Sequence, residues 1–228
     1  MKAKDLIKKL EEDPEYIKMK QKKEEEAKIR KDAIEKIEYP FIEELNKHGF
    51  GEIKNLPDLQ RLKEIDDILL NLILKWILIM DNTYNSQEVL VRILKKAKNP
   101  FDGTTLIKLF DSDDASFNLK WAIADTIARS QATNVTDWVE QRLSVNRPSK
   151  ECEMLIYAAM RLFSYEKARS IFLRLFKIFP LQIADAFTKI GTDDDLMFLR
   201  VNNKEFDREV QTAIGDYANK LGKRLRKR

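Results

Sequence analysis

Along most of the chain, apolar residues recur three and four positions apart, the spacing that turns one face of an α-helix toward a core. Sustained alternation of period two, the mark of a half-buried strand, is not found. Asp13 followed by Pro14 predicts a helix cap with proline at the first helical position. From Glu15 to about Asn46 the pattern predicts one long charged helix, with a bend expected near Pro40. Its stretch Lys18 to Lys31 has almost no large apolar side chain, so little of it can be buried. Ile29, Ala33, Ile34 and Ile37 then supply an apolar stripe, extended by Tyr39, Phe41, Ile42 and Leu45. His48 and Gly49 end the segment, the glycine suiting a left-handed C-cap.

A second apolar block runs from Asp58 to Met80, and its densest part, Ile68 to Met80, is interrupted only by Asn71 and Lys75. Thirteen residues are too few to span a bilayer as a helix. Asp67, Asn71 and Lys75 lie four apart and form one narrow polar stripe, which predicts a core helix with its other sides buried. Beyond Asn85 and Ser86 the chain repeats itself. Val89 to Phe110 can be laid over Ala122 to Leu143 at an offset of 33, and Leu119 to Leu143 over Cys152 to Leu175 at 32 to 33. Each copy is an apolar helix, a short polar break and a second helix. The pair Asp102 and Gly103 lacks alternating flanks and is expected to be a helix-to-helix turn. A shorter copy follows from Ile183 to Val201, and a helix from Phe206 to Leu221 closes the series.

Two helices per 33 residues is the period of an α-solenoid, in which no single pair can bury its apolar face without neighbours. The expected fold is therefore all-α: a right-handed solenoid of four to five helix pairs over residues 58–228, preceded by a charged N-terminal helical segment at 1–57. The turn sequences of ankyrin and tetratricopeptide repeats are missing. The run Asp111 to Asp114, followed by Leu119 to Ile127 (LKWAIADTI), resembles a HEAT repeat of the bacterial phycobilisome-lyase-like type. Asp5, Leu6 and Ile7, with Asp13 to Tyr16 and the charged helix, are similar to the opening of bacterial HEAT-repeat proteins that have no assigned role. That resemblance implies a fold more than a function.

Charge changes the picture in one place. The net charge of +4 comes from a tail, Lys220 to Arg228, with six basic residues and no acid; the remainder holds 36 basic against 38 acidic residues. A nucleic-acid groove on the body is not indicated by composition, and any such contact is expected through the tail. A single cysteine, Cys152, excludes an internal disulfide framework and fits a reducing, cytoplasmic setting. Met1 to Leu10 carries four lysines and no apolar core, so no secretory signal is expected.

Candidate chemistry is sparse. Asp111, Asp113 and Asp114, and Asp193 to Asp195, each precede a helix and are expected to cap it rather than bind a cation, since the EF-hand spacing is missing. His48 stands alone at a helix end, far in sequence from Cys152, so neither a thiol–imidazole pair nor a zinc site is indicated. No phosphate loop or dinucleotide motif occurs, no cofactor is implied, and the chain carries no mark of an enzyme. On a helical wheel Leu119, Ile123, Thr126, Ile127 and Ser130 form one stripe, with Trp121, Ala124, Asp125 and Ala128 nearly opposite. Trp121 then either fills the space between repeats or faces a groove beside a carboxylate. HEAT-like alkylpurine DNA glycosylases use a pairing of the second kind, and only the Trp-to-Asp spacing matches here. The expected function is a non-enzymatic scaffold or adaptor, immunity-type roles included. Its protein-binding residues would be Lys120, Trp121, Asp125 and Arg129, and one repeat on Met154, Ala158 and Arg161. Nucleic-acid binding is the alternative, and a lyase-type enzyme is suggested by fold analogy alone.

Overall fold

The computed structural model describes residues 12–227, which divide into two compact units: residues 12–61 with Met80–Ser86, and Leu62–Ile79 with Gln87 onward. Met1 to Glu11 and Arg228 lie outside the described residues, and with them the expectations placed on Met1–Leu10. Among the described residues, twelve α-helices, three single-turn 3-10 helices and two two-residue strands make up the regular structure, so the chain is all-α.

In the first unit, α1 (Pro14–Lys47) starts where Asp13 accepts a hydrogen bond from the Glu15 amide at 2.9 Å. At 1.5 Å per residue its 34 residues reach roughly 50 Å. The helix runs unbroken through Pro40 to Lys47, close to the predicted end at Asn46. Lys18 to Lys31 is exposed throughout, and the stripe is shallower than its spacing predicts: Ile29 is 63% exposed, Ala33 to Ile37 contribute half-buried positions, and only Phe41 and Leu45 are fully buried. These two pack in the unit whose core also holds Ile53, Leu56 and Leu59, the last two on α2 (Leu56–Arg61). Full burial of each such side chain is worth about 1.5–3 kcal/mol. The helix stops as expected. Gly49 takes φ +90°, and the Phe50 amide returns to the Leu45 carbonyl at 3.0 Å, the six-to-one bond of a Schellman motif.

One buried carboxylate belongs to this unit. Glu38 is 8% exposed and accepts two long bonds, from the Leu56 amide (3.4 Å) and the Ser86 hydroxyl (3.3 Å). Burial, outweighing those bonds, pushes its pKa above the usual glutamate value.

The second unit opens with α3 (Asp67–Trp76), capped by Asp66 on the Leu69 amide at 2.9 Å. Leu69, Leu70, Leu72 and Ile73 are buried, and Asp67, Asn71 and Lys75 form the exposed stripe that the spacing predicts. The expectation that every other side is buried fails at Ile68, which is 55% exposed, and after the helix at Leu78 and Ile79. After α4 (Ser86–Ile93) come α5 (Thr104–Phe110), α6 (Phe117–Arg129), α7 (Thr136–Ser144), α8 (Leu155–Leu162), α9 (Tyr165–Leu175), α10 (Pro180–Ile190), α11 (Asp193–Asn202) and α12 (Arg208–Leu225). Alternate helices pack side by side: α6 on α8, α8 on α10, α10 on α12. The intervening helices α5, α7, α9 and α11 each pack against a member of that row. Edge-to-face contacts of Phe187 with Phe172 and Phe198, and of Phe176 with Phe198 and Phe206, fill the space among the last helices.

The 33-residue offset reappears in the hydrogen bonds. The parallel strands β1 (Phe101–Asp102) and β2 (Ala132–Thr133) pair Phe101 with Ala132, and Ile65 bridges Ala97 in the same sense. Asp102 therefore lies in a short strand where a plain turn is expected from sequence. Gly103 follows it because a Cβ there would stand 2.3 Å from Val135 Cγ1. Three arginines repeat one device. Arg161 on α8 donates to the Ile127 carbonyl near the end of α6 (2.9 Å), Arg174 on α9 to the Leu143 and Val145 carbonyls at the end of α7, and Arg224 on α12 to the Lys189 and Gly191 carbonyls at the end of α10. Each guanidinium thus caps the C-terminus of the second helix before its own.

Candidate functional site

Helix α6 carries the predicted residues. Ser116 caps it through a 3.2 Å bond from the Leu119 amide, so the cap is a serine and not the preceding acids. Asp111 is occupied elsewhere: it accepts from Trp138 Nε1 at 3.2 Å and pairs with Arg142, whose guanidinium lies over Phe110 and Trp138. The second acidic run does cap. Asp195 and Thr192 form a reciprocal capping box at α11, and the fully buried Asp195 carboxylate also accepts from Arg169 Nε (2.7 Å) and the Tyr165 hydroxyl (2.5 Å). That arrangement borders an open groove of about 680 Å³ lined by Tyr165, Arg169 and Asp193.

From Ala122 to Ala128 every residue of α6 is buried. The stripe of Leu119, Ile123 and Ile127 meets the core as its spacing predicts, and the opposite side is covered as well because α6 lies beside α8 and the turn Leu94–Lys96. Asp125, 3% exposed, is consequently a buried carboxylate. Lys95 Nζ donates to Oδ2 at 2.7 Å, Arg129 Nε stands 2.6 Å from Oδ1, and Arg92 approaches to 4.0 Å. Oδ2 accepts the Lys95 bond, Oδ1 faces Arg129 without accepting a directed hydrogen bond, and the charge is balanced by cations of its own chain, whereas base chemistry beside Trp121 would need a carboxylate open to a ligand.

Trp121 is half-buried. Its indole N–H donates to Glu153 Oε1 at 2.7 Å, and the Arg92 guanidinium lies 5.3 Å over its ring. Arg92 is itself held by Glu88 at 2.9 and 2.8 Å. The tryptophan therefore bridges consecutive members of the row and also keeps an accessible edge. Lys120 points elsewhere, with its ammonium 5.9 Å over the Phe110 ring of α5. Met154 and Ala158 are buried at 5% and 0% exposure, so the surface equivalents one repeat on are Glu153, Tyr157 and Arg161.

Tyr157 was not singled out in the sequence, yet it joins two helices of the row. The Lys189 ammonium lies 4.8 Å over its ring, and burial first, then the Asp185 carboxylate, push its phenol far above the usual range. Tyr217 on α12 is raised by the same two causes. The exposed cations Arg129, Arg161 and Lys189, with the half-buried Trp121, Tyr157 and Tyr217, make a belt on successive helices α6, α8, α10 and α12, tied by the Trp121–Glu153, Arg161–Ile127 and Lys189–Tyr157 contacts.

The basic C-terminus is mostly helix: α12 extends to Leu225, with Leu221 and Gly222 buried and Arg224 capping α10. Lys220, Lys223, Arg226 and Lys227 remain exposed. His48 is an exposed C-cap residue. Cys152 is a buried free thiol with its pKa raised chiefly by that burial. Among the described residues no group of three or more His, Cys, Asp or Glu side chains is placed to hold a metal ion, and no helix is long and apolar enough to cross a membrane. No family model, no curated protein and no solved structure matches the chain.

Proposed function

We propose that the second unit, Leu62–Ile79 with Gln87 onward, forms a HEAT-like solenoid that binds a partner protein along the row of α6, α8, α10 and α12, as a scaffold or adaptor without catalytic chemistry. The observation behind this reading is the belt of Trp121, Arg129, Tyr157, Arg161 and Lys189. Aromatic and arginine side chains supply most of the energy in protein interfaces, and here they are held by bonds to neighbouring helices before any partner arrives. The belt is broad, and its one deep carboxylate is already neutralised. Recognition of a surface fits it better than turnover of a small molecule. An immunity-type role is one form such a scaffold takes.

Affinity capture from the native host lysate, with and without nuclease, tests the proposal. A single protein retained in both arms, and lost when Arg129 and Lys189 are both changed to Glu, supports it. Both side chains are at least half exposed, so the substitutions leave the core intact. Enrichment that disappears with nuclease would transfer the assignment to nucleic acid, for which the exposed Lys220, Lys223, Arg226 and Lys227 are the specific support.

A further inference from the structure

The cations of the belt are not equally provided with acids. Glu88 holds Arg92, Asp125 holds Lys95 and Arg129, and Asp185 holds Lys189 at 3.1 Å. Arg161 differs: its described bond is the one from Nη2 to the Ile127 carbonyl, and no carboxylate of the described residues pairs with it. A guanidinium presents five N–H donors in one plane, so most of its fork is left facing outward. Desolvation is the sole cause that lowers the Arg161 pKa, as expected of a cation without a counter-ion. Ile127 lies two residues before Arg129, so both guanidiniums stand at the C-terminal end of α6. Arg129 uses Nε on Asp125 and is otherwise 62% exposed. Tyr157, one turn before Arg161 on α8, carries Lys189 on its ring.

The geometry points to an anion subsite at Arg129, Tyr157, Arg161 and Lys189 that receives carboxylate side chains from an acidic segment of a partner protein. The inference rests on the binding reading above and gives its partner a chemistry. Charge complementarity selects the occupant. Planar guanidiniums match carboxylates in two-pronged geometry, and Tyr157 offers an apolar face beside them. A polynucleotide fits less well, because its fixed phosphate spacing along the row would also bring it against Glu153 and Asp185, whereas an acidic segment can place its carboxylates at the cations.

The test uses the full chain with a fluorescein-labelled polyglutamate peptide and a labelled oligothymidylate of matched charge, read by fluorescence anisotropy at low and near-physiological salt. Polyglutamate is expected to bind the more tightly. Arg129→Gln with Arg161→Gln should weaken it by about tenfold, while Lys22→Gln with Lys31→Gln on exposed α1 should change nothing. Gln at 161 keeps an N–H for the Ile127 carbonyl. Should that variant nevertheless melt early, Arg129→Gln with Lys189→Gln asks the same question at two exposed positions, with a loss of about fivefold expected. No binding of polyglutamate, an equal loss in the α1 pair, or tighter binding of oligothymidylate would overturn the inference. A captured partner that polyglutamate fails to displace refutes the acidic chemistry and leaves the scaffold reading standing. Polyglutamate binding with no partner captured does the reverse.

Discussion

Replacing Asp125 by Asn tests whether this carboxylate is the internal counter-ion that the geometry makes it. At 2.7 Å from Lys95, and with an effective dielectric near 20, the charge–charge attraction is ~6 kcal/mol. Burying the carboxylate costs several kcal/mol, which offsets much of that gain. Arg129 adds little more, since its side chain is 62% exposed and its contact is screened by water. Asn keeps the shape and an oxygen for Lys95, which at 27% exposure can recover part of its hydration. The expected loss is about 2 kcal/mol, below the roughly 3–5 kcal/mol of a broken, fully buried pair because Asn keeps an acceptor and Lys95 is partly hydrated. Urea denaturation followed by far-UV circular dichroism measures it. A double-mutant cycle with Lys95→Met should give a coupling of about 1–2 kcal/mol, and one with Arg129→Met less than about 0.5 kcal/mol. A loss below about 0.5 kcal/mol, or a vanishing coupling to Lys95, would refute the counter-ion assignment.

Glu38 should respond in the opposite direction. Its pKa is raised above the ordinary 4.5, so the native state holds the proton more tightly than the unfolded chain, and stability falls as pH climbs from 4.5 through the native value. Glu38→Gln should flatten that dependence and, with solvent screening discounted, add at most about 1 kcal/mol near neutral pH; a steep loss in Gln across the same titration would contradict the assignment. Gly103→Ala should cost about 1–3 kcal/mol by overpacking against Val135, with no contribution from backbone strain because φ is −81°. Gly51→Ala, whose new methyl would meet only Asn46 Oδ1 at 3.7 Å, is the control and should leave the urea midpoint unchanged.

What the sequence conveyed, and what it withheld, follows from the range of each interaction. The Asp13 cap, the Gly49 stop and the polar stripe of Asp67, Asn71 and Lys75 depend on residues within one or two turns, and each stands where local spacing puts it. The offset near 33 was visible because it repeats, and the bonds from Lys95 to Asp125, Trp121 to Glu153 and Arg161 to Ile127 span 30 to 34 residues. The wheel of α6 could not say that both sides are covered, since helices on either flank decide that. For this reason Asp125 emerged as a buried ion and Met154 and Ala158 as core. The strands β1 and β2 are too short to alternate, and their partners lie 31 residues apart, so nothing local announces them. Tyr157 was equally silent, because its significance comes from Lys189 and Asp185 on the next helix of the row.

The arginines that cap helices two places back give the C-terminal half a directional dependence. The ends of α6, α7 and α10 are each completed by a side chain that the ribosome makes roughly thirty residues later. A nascent or truncated chain ending before Arg224 leaves the carbonyls at Lys189 and Gly191 to water, and one ending before Arg161 does the same at Ile127.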